Sequence, residues 1–376
     1  SDTSSEGDVV LTVRKDLQET ARDALGDRRG SVVALDPRTG AVLAMWSNPT
    51  FDPNLLSNND AEAAAGAKAL YEAAPTKPLL PKAYRERYFP GSTFKVVTAT
   101  AGLTSGKVTV DSPTYPVVTS YTPPLTSKPI SNFDGNACGG TLLPILARSC
   151  NSSFAQMAAE TTGPDPMIDA AEAAGFNQPV ELDLPRPARS VYPTDFGAVV
   201  SRPEGSAPVY EDTPKLAQTA IGQNDVRATP LQMAMVAAGA GNTGQIMAPH
   251  VMAEIRARNG DVVEKFAPFP WKESMTPEVA ATMREAMVGV VTDGTAAVMA
   301  TPGWEVGAKT GTAQLGTKPP RSHGWMIAFA GQPGQPAQVA VAVIVEDLPG
   351  VSAATGGSTA GPVAKAVLDK ALGVSG

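Results

Sequence analysis

Tyr88-Phe89-Pro90-Gly91-Ser92-Thr93-Phe94-Lys95 reads as a turn feeding straight into a helix. Pro90 and Gly91 break what precedes them, and Val96 to Leu103 then runs small and apolar before Ser105-Gly106. A serine in the first turn of a helix is ordinarily a cap. Lys95 adds something, because residues three apart on a helix stack on one face. The spacing therefore predicts that the lysine amine reaches the serine hydroxyl. The free N–H groups and positive end of the helix face that hydroxyl too. Nucleophile, base and anion-stabilising donors could thus share one turn of chain. Ser-x-x-Lys arises by chance about once in a chain of this length, so the rest of the sequence must decide.

Composition narrows the field. The chain has 376 residues, 43% hydrophobic and 18% charged, enough for a large buried core. Gly (35) and Pro (34) are abundant, implying many turns rather than a helical bundle. A net charge of −7 argues against a nucleic-acid partner. No apolar run is long enough to span a membrane. Only two histidines, His250 and His323, are present, which disfavours metal sites and a Ser-His-Asp triad. Neither a metal nor a cofactor is expected, and both histidines read as structural. The two cysteines, Cys138 and Cys150, match no zinc pattern; they are two buried thiols or one disulfide closing a short loop.

Along the chain, strands gather at both ends. Residues 9–13, 31–35 and 41–46 read as strands, the last two joined by the turn Asp36-Pro37-Arg38-Thr39-Gly40. Residues 247–257 and 262–266 read as strands around Asn259-Gly260, and 306–312, 324–330 and 339–346 as three more. Helices are expected over 15–25, 61–74, 92–104, 141–148, 152–160, 229–241, 276–291 and 360–372. The simplest architecture is α+β: an antiparallel sheet built from N- and C-terminal strands, covered by the end helices, with an inserted, mainly helical lobe over about 61–300. Residues 1–8 read as a linker or the cut edge of a longer protein, and 9–376 as the domain itself.

Two further motifs follow the first. Ser149-Cys150-Asn151 lies in a turn between two helices, and Lys309-Thr310-Gly311-Thr312 on a strand with small residues. Each has a decoy elsewhere, Ser57-Asn58-Asn59 and Arg38-Thr39-Gly40, but only one set stands in the order Ser-x-x-Lys, Ser-x-Asn, Lys-Thr-Gly. That trio is the signature of class A β-lactamases and penicillin-binding proteins. The similarity continues outside it. Gly30 to Met45 resembles the hairpin that opens the transpeptidase domain of class B penicillin-binding proteins. Arg87 to Lys95 is similar to their nucleophile segment, and Gly222-Gln223-Asn224 with Ala228-Thr229-Pro230-Leu231 to the stretch before their third motif. Lys309 to Gln314 and His323 to Ala330 resemble adjacent strands of their sheet, and Phe51-Asp52-Pro53-Asn54-Leu55-Leu56 looks most like the actinobacterial elongation or division type.

The resemblance implies a five-stranded antiparallel sheet flanked by helices plus an all-helical lobe. It implies a serine acyltransferase that cross-links peptidoglycan stem peptides ending in D-Ala-D-Ala and is acylated by β-lactams. Ser92 would be the nucleophile and Lys95 its base, neutral at work because burial and the nearby Lys309 lower its pKa. Ser149 would pass a proton to the leaving amine and Asn151 would bind a substrate amide. Lys309, Thr310 and Thr312 would grip the terminal carboxylate, with Gly311 between them, and the N–H groups of Ser92 and Thr312 would form the oxyanion hole. A Cys138–Cys150 bridge would pin residues 131–140 against the second motif. The loop 313–322 either shapes acceptor approach or is merely solvated. A membrane anchor and a further domain upstream, cell-wall synthesis partners through that part, and an extracytoplasmic location at the cell membrane are also implied. Rival readings are a β-lactamase with Glu160, Glu172 or Glu181 as added base, a D,D-carboxypeptidase, and a non-enzymatic β-lactam-sensing or scaffold domain.

Overall fold

The computed structural model describes residues 7–350 and 356–374. From the N-terminus, strand β1 (Gly7–Leu11) leads into helix α1 (Lys15–Leu25) and the hairpin of β2 (Gly30–Leu35) and β3 (Val42–Asn48). The middle of the chain contributes α2 (Lys95–Thr104), α3 (Leu142–Ala147), α4 (Asn151–Gln156) and α5 (Pro230–Gly241). Then come β4 (Met252–Ala257), β5 (Val262–Lys265) and α6 (Pro277–Thr292). Strands β6 (Glu305–Gln314), β7 (Arg321–Gly331) and β8 (Val339–Pro349) and helix α7 (Gly361–Leu372) complete it.

The main sheet has five antiparallel strands in the order β6-β7-β8-β2-β3. The C-terminal strands and the N-terminal hairpin therefore meet, with Val341 opposite Ala34 and Val343 opposite Val32. Strands β7 and β8 are nearly continuous apolar runs because helices cover the sheet: α1 and α7 pack on each other and on its strands, and α5 packs on β8, β7 and β2. Every residue of α5 is buried, so its apolar character runs all the way round. Its start is set by Thr229, whose side chain accepts from Gln232 N, and by Pro230 in the first turn. Helix α6 packs on β6, so part of the 61–300 range lies directly on the sheet.

Four expectations change. Strand β1 does not join the main sheet; it pairs with β4 in a separate three-stranded sheet, β1-β4-β5. Both flanks of β2 are already taken by β8 and β3, and the side chains of Val9 and Leu11 stay exposed. Gly7 and Asp8, expected in the linker, pair with Ala257 and Arg256, while residues 1–6 lie outside the described residues. The single strand expected over 247–257 is broken at Pro249: Gln245–Met247 pairs with Pro270–Glu273, and β4 starts afresh at Met252. Strands β6 and β7 run on to the Gln314–Ser322 pair, which shortens the expected ten-residue loop to residues 315–320.

Candidate active site

Strand β6 is an edge strand of the main sheet. Its outer edge faces the turn that carries Ser92. Gly91–Phe94 forms one turn of 3-10 helix running directly into α2. Gly91 has φ +54°, and a Cβ there would sit 2.5 Å from Thr312 O, so the turn can approach the strand this closely only without a side chain. Gly91 N donates to Gly222 O at 3.0 Å on the other side. Trp325 Nε1, from β7, donates to Phe89 O at 3.0 Å. The nucleophile turn is thus clamped between the sheet and the Gly222 loop. Ser92 is half-buried at the junction of two clefts of about 560 and 320 Å³.

Lys95 is fully buried, and its amine turns away from the expected partner. Nζ donates to Asn151 Oδ1 (2.6 Å), Ser149 O (2.7 Å) and Ser149 Oγ (3.2 Å), and not to Ser92 Oγ. Burial first, and then the nearby Lys309 cation, hold its pKa well below the ordinary lysine value. Lys309, also fully buried, reaches the same hydroxyl from β6: Nζ donates to Ser149 Oγ at 2.8 Å and to Thr310 O at 3.0 Å. Burial lowers its pKa to about 7. Neither amine forms an ion pair among the described residues. The Ser149 hydroxyl is therefore the bridge between the two lysines.

The chain places Ser149 by a Schellman motif at the end of α3. Ser149 N bonds to Leu146 O and Cys150 N to Ile145 O, with Ser149 at φ +58°. Glycine is the usual residue in that left-handed position; a serine there carries strain of about 1 kcal/mol. Cys150, the next residue, is fully buried and disulfide-bonded to Cys138. Asn151 opens α4, and its Nδ2 donates to Ser131 O, leaving one N–H for another acceptor. Asn132 reinforces the same contact by accepting from Ser152 N and donating to Val118 O. The 131–138 segment is thus fastened to the second motif at three points.

Thr310 lies in the larger cleft, its hydroxyl 2.6 Å from that of Thr295. Sequence reasoning missed Thr295, which follows α6 and carries no motif. Gly311 faces the nucleophile turn; a Cβ there would meet Thr93 Cγ2 at 2.8 Å. Thr312 borders both clefts. The histidines stand apart from this chemistry. His323 Nδ1 accepts from Asp347 N, and His250 stacks on Phe266. Among the described residues no cluster of potential metal ligands occurs.

A half-buried serine beside two buried, neutralisable lysines joined by one hydroxyl defines a serine acyl-transfer site without histidine. Residues 30–369 match the penicillin binding protein transpeptidase domain, and the chain belongs to that family. It is 37% identical to the peptidoglycan D,D-transpeptidase PbpA of Mycolicibacterium smegmatis, over 97% of this chain and 72% of that one. It is 30% identical to the peptidoglycan D,D-transpeptidase MrdA of Acinetobacter baumannii, over 96% of this chain and 53% of the relative. Its fold is similar to that of penicillin-binding protein A from M. tuberculosis in a ceftriaxone acyl-enzyme complex, with a TM-score of 0.85 and 33% identity over 97% of this chain and 80% of that one.

Proposed function

We infer that the chain is a serine-type peptidoglycan D,D-transpeptidase acting on stem peptides that end in D-Ala-D-Ala, and that β-lactams acylate the same serine. One observation carries the mechanism: the Ser149 hydroxyl joins two fully buried lysines that have no carboxylate partner among the described residues. An amine kept neutral by burial is a base, and a hydroxyl between two amines is a proton relay. Ser92 Oγ attacks the carbonyl between the two D-alanines and gives its proton to Lys95. The N–H groups of Ser92 and Thr312 receive the developing oxyanion. Ser149 delivers a proton to the leaving nitrogen, the C–N bond breaks, and D-alanine departs from an ester on Ser92. Asn151 holds a substrate amide.

The two clefts give the substrate its direction. Thr310 and Ser149 line only the larger one, which supports a terminal carboxylate on that side, with Lys309 and Thr312 completing the grip. The acyl chain then runs into the smaller cleft, along Ile130, Gln218, Gln223 and Gln314. The β-lactamase alternative finds little support. Glu160 accepts from Tyr121 and Gln156, Glu172 from Asn177, and none of Glu160, Glu172 and Glu181 lines either cleft. The same reading extends to one transpeptidase domain over 9–376, an extracytoplasmic setting at the cell membrane, and cell-wall synthesis partners. Among the described residues no helix is long and apolar enough to cross a membrane.

A fluorescent penicillin tests the assignment. The wild type should gain the mass of one adduct and keep it for minutes or longer, and Ser92→Ala should gain none. Labelling of Ser92→Ala would refute the assignment. Turnover within seconds would favour a β-lactamase.

A further inference from the structure

We propose that the amine-bearing second stem peptide, the acyl acceptor, reaches Ser92 along a groove between α3 and α6, and that Arg148 and Asp293 at its mouth select it. The inference rests on the transpeptidase reading above and deepens it.

Chemistry fixes the side from which the acceptor comes. The acceptor nitrogen forms its bond to the ester carbon of acyl-Ser92 as the C–Oγ bond breaks, and the amine proton ends on Ser92 Oγ by way of Lys95 and Ser149. The nitrogen therefore occupies the place the departing D-alanine nitrogen left. The rest of the acceptor must extend through the larger cleft, beyond Thr310, because the donor chain fills the smaller one. That larger cleft does not end at the carboxylate grip. Ala147, Arg148 and Asp293 line it and also line a second hollow of about 470 Å³, walled by Leu143 and Pro144 of α3 and by Glu285, Val288 and Gly289 of α6. Site and groove are one continuous surface.

Two features of this groove are unexplained by folding. Gly289 sits inside α6 with ordinary backbone angles, and a Cβ there would meet nothing within 4 Å. Glycine inside a helix is destabilising relative to alanine, and no close packing requires it here. Its effect is to keep the groove floor open. The charged groups at the mouth are also unspent. Among the described residues Arg148, which is exposed, forms no ion pair, and Asp293 accepts only from the neighbouring Thr292 hydroxyl at 2.6 Å. A guanidinium and a carboxylate on facing helix ends suit a peptide that presents both a carboxylate or carbonyl and N–H donors. A bare amine or water would use neither.

The test uses the whole chain, an N-acylated donor peptide ending in D-Ala-D-Ala, and two acceptors: free D-alanine, which reaches only the carboxylate grip, and a tetrapeptide bearing a side-chain primary amine. Gly289→Phe should fill the groove and Arg148→Glu should reverse its charge. In both variants the rate of acylation by penicillin and the exchange of labelled D-alanine should stay within about threefold of wild type. The tetrapeptide product, measured by mass spectrometry, should fall at least tenfold. If tetrapeptide and D-alanine products fall together, or neither falls, the proposal is wrong. Penicillin acylation reports whether each variant is folded, and Arg148→Glu stands alone should Gly289→Phe fail that check. A wild type that is not acylated would overturn the transpeptidase reading itself. One that is acylated, exchanges D-alanine and never uses the tetrapeptide would overturn only the groove.

Discussion

Among the described residues three lysines are almost wholly buried, and they are buried on different terms. Lys82 is matched: its amine lies 3.0 and 3.3 Å from the Glu346 carboxylate, which also accepts from Tyr88 OH at 2.8 Å and pairs with Arg29 at 3.2 Å. Among the described residues Lys95 and Lys309 hydrogen-bond only to neutral oxygens, and their pKa values are driven down by burial. A buried lysine with a carboxylate is part of the frame. A buried lysine without one is a base in waiting, and only the second kind lines the site. The charged side of the comparison also perturbs its neighbours, since burial and Glu346 push the Tyr88 phenol up.

The largest expected effect falls on rate. Lys95→Met should lower the second-order rate of penicillin acylation by about 10²–10⁴-fold. Its stability cost should stay below about 2 kcal/mol, since the oxygens left behind are neutral. Stopped-flow acylation and a urea melt measure the two. Lys82→Met should do the reverse. Removing Lys82 leaves the buried Glu346 carboxylate with only the half-exposed Arg29 and the Tyr88 hydroxyl as partners and should cost about 3 kcal/mol in the same melt, the low end for a broken buried pair, while folded protein still acylates at a near wild-type rate. Equal behaviour of the two variants would break the distinction.

The smallest effect is on the pH dependence of stability. Lys309 has a folded pKa of about 7 against an ordinary value of 10.5. Between those values the unfolded chain binds the extra proton, so stability rises with pH, by at most about 1.4 kcal/mol per unit. Below about 7 both states are protonated and this contribution no longer changes. Lys95, also depressed, acts in the same direction. Urea midpoints at pH 7.5 and 9.5 should show a shallower rise in Lys309→Met than in wild type. An unchanged slope would mean that Lys309 is not held in a depressed state.

Much of this site was legible because its parts are local. Ser92 and Lys95 sit within one turn, Ser149 and Asn151 within another, and Lys309 to Thr312 on one strand, so spacing alone groups them. What spacing could not supply was who meets whom across the fold. The i,i+3 rule pointed Lys95 at Ser92, but the second motif, 54 to 56 residues further along, offers its amine three acceptors and takes it. Lys82 and Glu346 are 264 residues apart and have no signature of their own. Strand β1 has the composition of a sheet strand, and nothing in Val9 to Val13 says that its partner is β4. Thr295 gains its place by touching Thr310, a contact no pattern encodes.

The end of α3 sets two pressures against each other. A helix closing with its last residue in the left-handed region is most comfortable with glycine, and Ser149 occupies that slot instead. A chain chosen only for how long it stays folded would drift to glycine here and lose the hydroxyl that joins the two lysines. Screens of variants for thermal resistance should therefore recover Ser149→Gly among the survivors, and those survivors should be silent toward penicillin. The left-handed serine is thus where the chain forgoes some stability to keep its two buried lysines joined.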